Sequence, residues 1–203
     1  MELIPEYTRK LPHIQPLYET FFITFRLHGC LPSVAIKNLA EERMVSENRI
    51  KNTVLNKNKK RLELLNNNKR NLIKFDNLLH KYQSDKDLLL NKKYANIVEN
   101  SLHFYDNKNY ELIAYCIMPN HVHLLVENVN TQLFRVLQSI KSFTAKKINE
   151  QMNKSGKIWQ RESYDHIVRK NSNIEDYINY ILQNPVKAGL VKNAENWDYS
   201  YRK

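Results

Sequence analysis

Two kinds of periodicity alternate along the chain. Residues 21–29, FFITFRLHG, are rich in aromatic and β-branched side chains and end on a glycine, with Pro32 close behind, which predicts a strand. Residues 110–118 and 121–127 are apolar runs of the same kind. Pro119 and Asn120 between them supply turn chemistry, so the two runs read as a hairpin. From residue 131 the period changes. Leu133, Val136, Leu137, Ile140, Phe143 and Ile148 recur at helical spacing, which predicts a helix through residue 152. SGKIWQRESYDHIVRK, residues 155–170, then reads as extended. Residues 172–184 return to helical spacing, with Ser172 and Glu175 in capping-box relation, and Pro185 disfavours helical geometry in the residue before it.

Between the first strand and the hairpin lies a long stretch without glycine or proline. Its first part, from residue 33, is helical in pieces and dense in Lys, Asn and Glu, with expected breaks at residues 66–68 and 84–85. Such an arm is either a solvated face or a partner-binding extension. An amphipathic helix follows, with Leu89, Tyr94, Ile97, Val98 and Leu102 on its apolar side. The opening residues, with Pro5, Pro12 and Pro16, are irregular, and no internal repeat is present. The order strand, helices, strand, strand, helix, strand, helix predicts an α+β fold, an antiparallel sheet with packed helices. The expectation is a single domain over residues 1–203 with a basic helical insertion at about 33–105.

Composition narrows the partners. A hydrophobic fraction of 42% is enough for a core, and 32 Lys and Arg against 21 acids leave a formal +11. That surplus favours a polyanion, most often nucleic acid, although basicity also serves solubility. Cys30 and Cys116 show no paired metal or redox spacing, which suggests a reduced, intracellular protein. The N-terminus has no apolar core of a signal peptide, and no stretch reaches the length of a membrane span. A cytoplasmic location without membrane association is therefore expected.

Within the apolar hairpin, His121 and His123 are two apart, so they share a strand face about 6.5–7 Å from each other. Two such imidazoles can grip one metal ion if another ligand approaches; alternatively they are ordinary histidines on the polar side of the strand. The last helix offers a partner. Tyr180 and Asn184 lie one above the other at i,i+4, and Tyr177 neighbours Tyr180 at i,i+3. The tyrosines could equally be core residues and Asn184 a helix cap. Taken together, the four residues describe two imidazoles, an amide oxygen as third ligand and a phenol one turn away. A phenol is a weak nucleophile at its usual pKa of about 10, a deficit that a metal polarising a phosphodiester compensates. Tyrosine attack on phosphate keeps the energy of the broken bond in a covalent intermediate, which suits strand transfer.

The stretches MPNHVHLLVE, KSFTAKKIN, WQRESYDHIVR and YILQNPVKAGLV, in this order, resemble the REP-associated tyrosine transposases, relatives of the single-tyrosine HUH transposases. The resemblance extends from FFITFRLHG to the terminal WDYSYR, with the basic, Asn-rich residues 52–70 looking expanded. It implies a ferredoxin-like sheet, the His pair on a central strand, and the nucleophile on a C-terminal helix. It further implies a divalent metal, Mg2+ or Mn2+, bound by His121, His123 and Asn184, with Tyr180 attacking single-stranded or hairpin DNA to leave a 5′-phosphotyrosine. Many mobile-element relatives carry Gln where this chain has Asn184. Such a protein would work as a monomer or homodimer. For DNA contact, Trp159 and Tyr164 offer stacking surfaces, while Arg161, Arg169, Lys141, Lys146 and Lys147 offer cations; each could instead be core or a solvated face. His166 could assist proton transfer or be structural. Two other functions stay open: a domesticated hairpin-DNA-binding protein without productive cleavage, and a metal phosphodiesterase that activates water.

Overall fold

A computed structural model describes residues 6–8, 12–53, 56–82, 87–169 and 172–203. The chain forms two compact units, one of residues 1–28 and 85–203, the other of residues 29–84.

The larger unit is built on a five-stranded antiparallel sheet. Its strands are β3 (Thr20–Arg26), β4 (Glu111–Ile117), β5 (His121–Glu127), β6 (Tyr164–Val168) and β7 (Ser200–Arg202), in the order β6-β3-β5-β4-β7. Counted from β3, the first four strands lie in the spatial order fourth, first, third, second. With helices joining β3 to β4 and β5 to β6, that is the ferredoxin-like arrangement, and β7 extends it beyond β4. The strands β1 (Glu6–Thr8) and β2 (Pro12–Ile14) pair separately with each other. The expected α+β sheet is therefore present, with β5 at its centre and both histidines on it.

β3 and β5 are buried almost throughout, because helices cover the sheet on both faces. Register sorts their side chains. Phe22, Thr24 and Arg26 share one face with Leu125, His123 and His121, while Phe21, Ile23 and Phe25 share the other with Val126, Leu124 and Val122. The helices α3 (Lys92–Tyr105) and α4 (Leu133–Met152) pack on each other and α3 lies on β4. Residue Trp159 meets Phe25 edge-on, 5.0 Å between centroids, and so belongs to this second face. The helix α5 (Ile174–Leu182) lies over the histidine face, where its tyrosines reach Phe22 and His123. A bulge between Leu112 and Ala114 adds one residue to β4 and bends it.

Several local expectations change. The α4 stripe runs through Lys141 and Thr144, and Phe143 is 51% exposed. The cap of α5 is Asn173, whose side chain accepts from the Glu175 N–H, one residue after the expected Ser172. Beyond Gln183 the chain continues into a short helix α6 (Asn184–Lys187), with Pro185 in its first turn. Pro185 has no N–H to give the preceding turn, so the ladder breaks there without the chain leaving helical space.

The smaller unit contains α1 (Ser33–Asn52) and α2 (Lys57–Lys81), which pack together. Lys74 pairs with Glu42 at 2.6 Å and Lys60 donates to the Lys51 carbonyl at 2.6 Å, so the two run antiparallel. The expected break at residues 66–68 is absent. Asparagine is a middling helix former, at most about 0.7 kcal/mol worse than Ala per residue, and strong formers flank the triplet. The break comes earlier, where Asn56 caps α2 by accepting from the Lys59 N–H. The break expected at residues 84–85 lies outside the described residues. α3, which the sequence grouped with the basic segment, packs on α4 and β4 instead. Among the described residues no helix is long and apolar enough to cross a membrane.

Candidate functional site

The turn between β4 and β5 sets the histidines. Met118 N–H donates to the His121 carbonyl at 2.8 Å, and the Asn120 carbonyl accepts from Leu27 N–H at 2.8 Å, which ties the turn to the end of β3. Asn120 is buried, and its Oδ1 lies 2.6 Å from His121 Nδ1. A carbonyl oxygen only accepts, so His121 carries its proton on Nδ1 and presents a lone pair at Nε2. His123 Nδ1 lies 2.9 Å from Thr24 Oγ1, its cross-strand partner. The two Nε2 atoms face each other at 3.1 Å, both rings buried.

That convergence has two chemical readings that exclude each other at any instant. Without a cation, His123 Nε2–H donates to His121 Nε2 while Thr24 donates to His123 Nδ1. With a cation, His123 moves its proton to Nδ1, where Thr24 Oγ1 accepts it, and both Nε2 lone pairs are presented together. Neighbouring ligands at about 2.0–2.1 Å from one ion lie roughly 3 Å apart, so the observed separation fits a shared ion. The outer partners, Asn120 and Thr24, are the kind of group that orients ligating imidazoles. The donor set therefore fits a divalent cation.

Helix α5 brings the phenols to the same face. The Tyr180 ring lies 6.1 Å from that of His123 at 73° and 5.9 Å from Phe22. Tyr177 touches Phe22 at 5.9 Å and lies over His166 at 6.4 Å. Burial holds the Tyr177 phenol above its ordinary pKa, with the Asp176 charge adding to the rise and a hydrogen bond to Ser172 opposing it. Asn184 is buried at the start of α6, and its Nδ2 donates to the Tyr180 carbonyl at 3.3 Å. The structure thus links His121, His123, Tyr180 and Asn184 by successive contacts. Lys187 Nζ stands 4.2 Å from the Tyr180 ring centroid, and Arg26, buried, is registered opposite His121.

The remaining candidates divide. Trp159 is buried, its indole N–H donating to Thr144 Oγ1 at 2.8 Å, so its faces are spent on the core. Lys141 is buried too, with Nζ bonded to the carbonyls of Gln160 and Arg161 and to Ser163 Oγ at 3.1, 3.2 and 2.6 Å. Both are corrected from DNA contacts to interior supports. Arg161, Arg169, Lys146 and Lys147 are exposed, Lys147 pairing with Glu150 at 3.0 Å. Tyr164 is half-buried and registered with Thr24. Asp165 turns to the opposite face and accepts from Gln15 Nε2 at 2.9 Å. Sequence reading missed Thr24, Arg26 and Asn120. The signal was available, since Thr24, Arg26 and His28 alternate through FFITFRLHG as His121 and His123 do through their own strand.

A model of the family described as Transposase IS200 like matches residues 81–184, from the end of α2 through Asn184. A protein of Haemophilus influenzae named for the REP-associated tyrosine transposases is 34% identical over 102 residues, covering 45% of this chain and 58% of that one. The REP-associated tyrosine transposase of Escherichia coli K12 is 28% identical over 99 residues, covering 46% and 55%. The match thus spans little more than half the length of these curated relatives. A solved REP-associated tyrosine transposase bound to a REP hairpin superposes with a TM-score of 0.56 at 16% identity, covering 95% of this chain and 82% of the other, a likeness of fold. The family model covers the β4–β5 hairpin, α4, β6 and α5 in one continuous match, and on that ground the chain belongs to the IS200-like transposase family.

Proposed function

We propose that the protein is a metal-dependent enzyme that nicks and rejoins single-stranded DNA beside a hairpin, through a covalent 5′-phosphotyrosine on Tyr180, and that it works in the cytoplasm. The observation that carries this reading is the buried pair of facing Nε2 atoms, 3.1 Å apart, with the Tyr180 ring 6.1 Å from one of them, in a chain of this family. His121 and His123 would hold a divalent cation, Mg2+ or Mn2+, with Asn184 as the further ligand through its amide oxygen. Such an ion supplies Lewis-acid polarisation of the scissile phosphate.

The chain's own groups do the rest. Tyr180 Oη gives up its proton and bonds to phosphorus as the P–O3′ bond breaks. The departing 3′ oxygen takes up a proton and leaves as a 3′-OH, while the 5′ phosphate stays esterified to tyrosine. Attack by a 3′-OH on that ester reverses the step and rejoins a strand, with no external energy source. Lys187 beside the phenol and Arg26 beside His121 place positive charge where the phosphate and phenolate would sit.

The test is capture of DNA on the protein. Incubation with Mn2+ and an oligonucleotide carrying a hairpin and a single-stranded flank should give an adduct that survives denaturant and maps to Tyr180. Cleavage without an adduct would transfer the role of nucleophile to water. Tight binding with neither cleavage nor adduct would make the protein a hairpin-binding relative.

A further inference from the structure

The basic surplus is not spread over the chain. α2 holds eight Lys and Arg against two acids, a surplus of six out of the chain's +11. α1 holds four against three, and two of its four cations are paired within the helix, Lys37–Glu41 at 3.8 Å and Arg43–Glu47 at 2.7 Å. On α2, Lys59, Arg70 and Lys81 are exposed and form no ion pair among the described residues; Lys81 lies 5.8 Å from the Tyr82 ring. Successive members are eleven residues apart, three helical turns to within about 20°, so they stand in one line at roughly 16.5 Å intervals over about 33 Å. Asn66 and Asn77, exposed and also eleven apart, stand beside that line.

We propose that this face of α2 docks on the phosphate backbone of duplex DNA, along the stem of a hairpin. Its length matches about one turn of B-DNA, roughly 34 Å. The cations and the amide groups between them are donors suited to phosphate oxygens, which makes the contact sequence-independent. The N-terminal turn of α2 has Lys57, Lys59 and no acid, against the preference of the helix dipole, and a phosphate there relieves that mismatch. Exposed Leu62 and Ile73 also border the line, so the vesicle arm of the experiment is what separates a lipid surface from a DNA stem. The inference concerns binding only and stands apart from the chemistry proposed for Tyr180.

The experiment compares two triple variants of the full chain. K59Q/R70Q/K81Q removes the line; K37Q/R43Q/R49Q removes equal charge from α1. Binding to a DNA hairpin with a stem of about ten base pairs, to oligothymidine and to phosphatidylserine vesicles is followed over a salt series. The α2 triple should lower the log–log salt slope on the hairpin by about 2–3, at ~0.9 per phosphate, and weaken binding at least about tenfold. Oligothymidine binding, adduct formation at saturating oligonucleotide and the circular dichroism of the folded chain should stay unchanged. The α1 triple should leave hairpin affinity within about twofold. Equal losses in both triples, an unchanged slope, or an effect confined to vesicles would overturn the proposal. Loss of cleavage in Tyr180→Phe with stem binding intact bears on the chemistry and not on this surface.

Discussion

The Tyr180 ring meets that of His123 edge-on, at 73° and 6.1 Å between centroids, whereas Tyr177, three residues earlier, lies nearly parallel to His166 at 24°. Neighbours on one helix are thereby committed to different imidazoles. Only Tyr180 joins the facing pair, and the burial that holds Tyr177 protonated suits it to packing. Tyr180→Phe should abolish adduct formation by about 10³-fold or more while costing less than about 1.5 kcal/mol of stability. Tyr177→Phe should retain the adduct. Mapping the adduct by mass spectrometry decides between them, and capture on Tyr177 would reverse the assignment.

The imidazole pair predicts its own metal dependence. His121→Ala or His123→Ala should eliminate Mn2+ binding by calorimetry and all cleavage, yet leave hairpin binding within about tenfold, because phosphate contacts dominate affinity. Thr24→Val is the subtler change. It keeps volume but removes the oxygen 2.9 Å from His123 Nδ1, and should weaken Mn2+ affinity by about 10–100-fold. Unaltered affinity in Thr24→Val would mean that Thr24 does not orient the ring.

Periodicity carried the sheet, the hairpin and the pairing of His121 with His123, because side-chain alternation on a strand is fixed by the backbone itself. Helix ends were less legible. Asn66, Asn67 and Asn68 look like a break but are absorbed by a 25-residue helix, while the real boundary needed only Asn56. The chemistry of Trp159 and Lys141 was misjudged for a related reason. An indole or an ammonium looks like a nucleic-acid contact in sequence, and nothing short of tertiary packing reveals Thr144 or the Gln160 carbonyl as its partner. Asn120 was read as a turn residue, though it also holds a ring nitrogen.

Lys141 supplies a test of that correction. Its ammonium ties three oxygens of residues 160–163, just before β6, and lies 5.7 Å from the Phe25 ring. Lys141→Met keeps the aliphatic stem and strands the acceptors, so urea unfolding should show a loss of about 1–3 kcal/mol. The salt slope of DNA binding should not move. A slope lowered by about one, with stability unchanged, would return Lys141 to the phosphate backbone.

The sheet also predicts how the fold fails in alkali. Cys116 stands opposite His123 in the β4–β5 ladder, and burial pushes its thiol from 9.0 up to about 12. Burial likewise raises Tyr110, whose hydroxyl donates to the Leu102 carbonyl at 2.7 Å, and Tyr115, whose hydroxyl donates to Glu99. Each folded pKa lies above its unfolded value, so the native state holds these protons more tightly. Their contribution is complete below pH 9 and is lost as pH rises, from about 9 to 12 for the thiol and from about 10 upward for the phenols. Unfolding free energies from urea titrations should therefore fall between pH 9 and 10.5. Cys116→Ala should be less stable at pH 8 and shallower than the wild type from about pH 9 to 12, because the thiol's share of the slope is missing throughout that range. In the folded protein at pH 8, Cys116 should resist a thiol reagent that modifies it readily in urea. A pH-independent stability across this range would mean that the thiol and the two phenols are not held in the interior as their hydrogen bonds and burial describe.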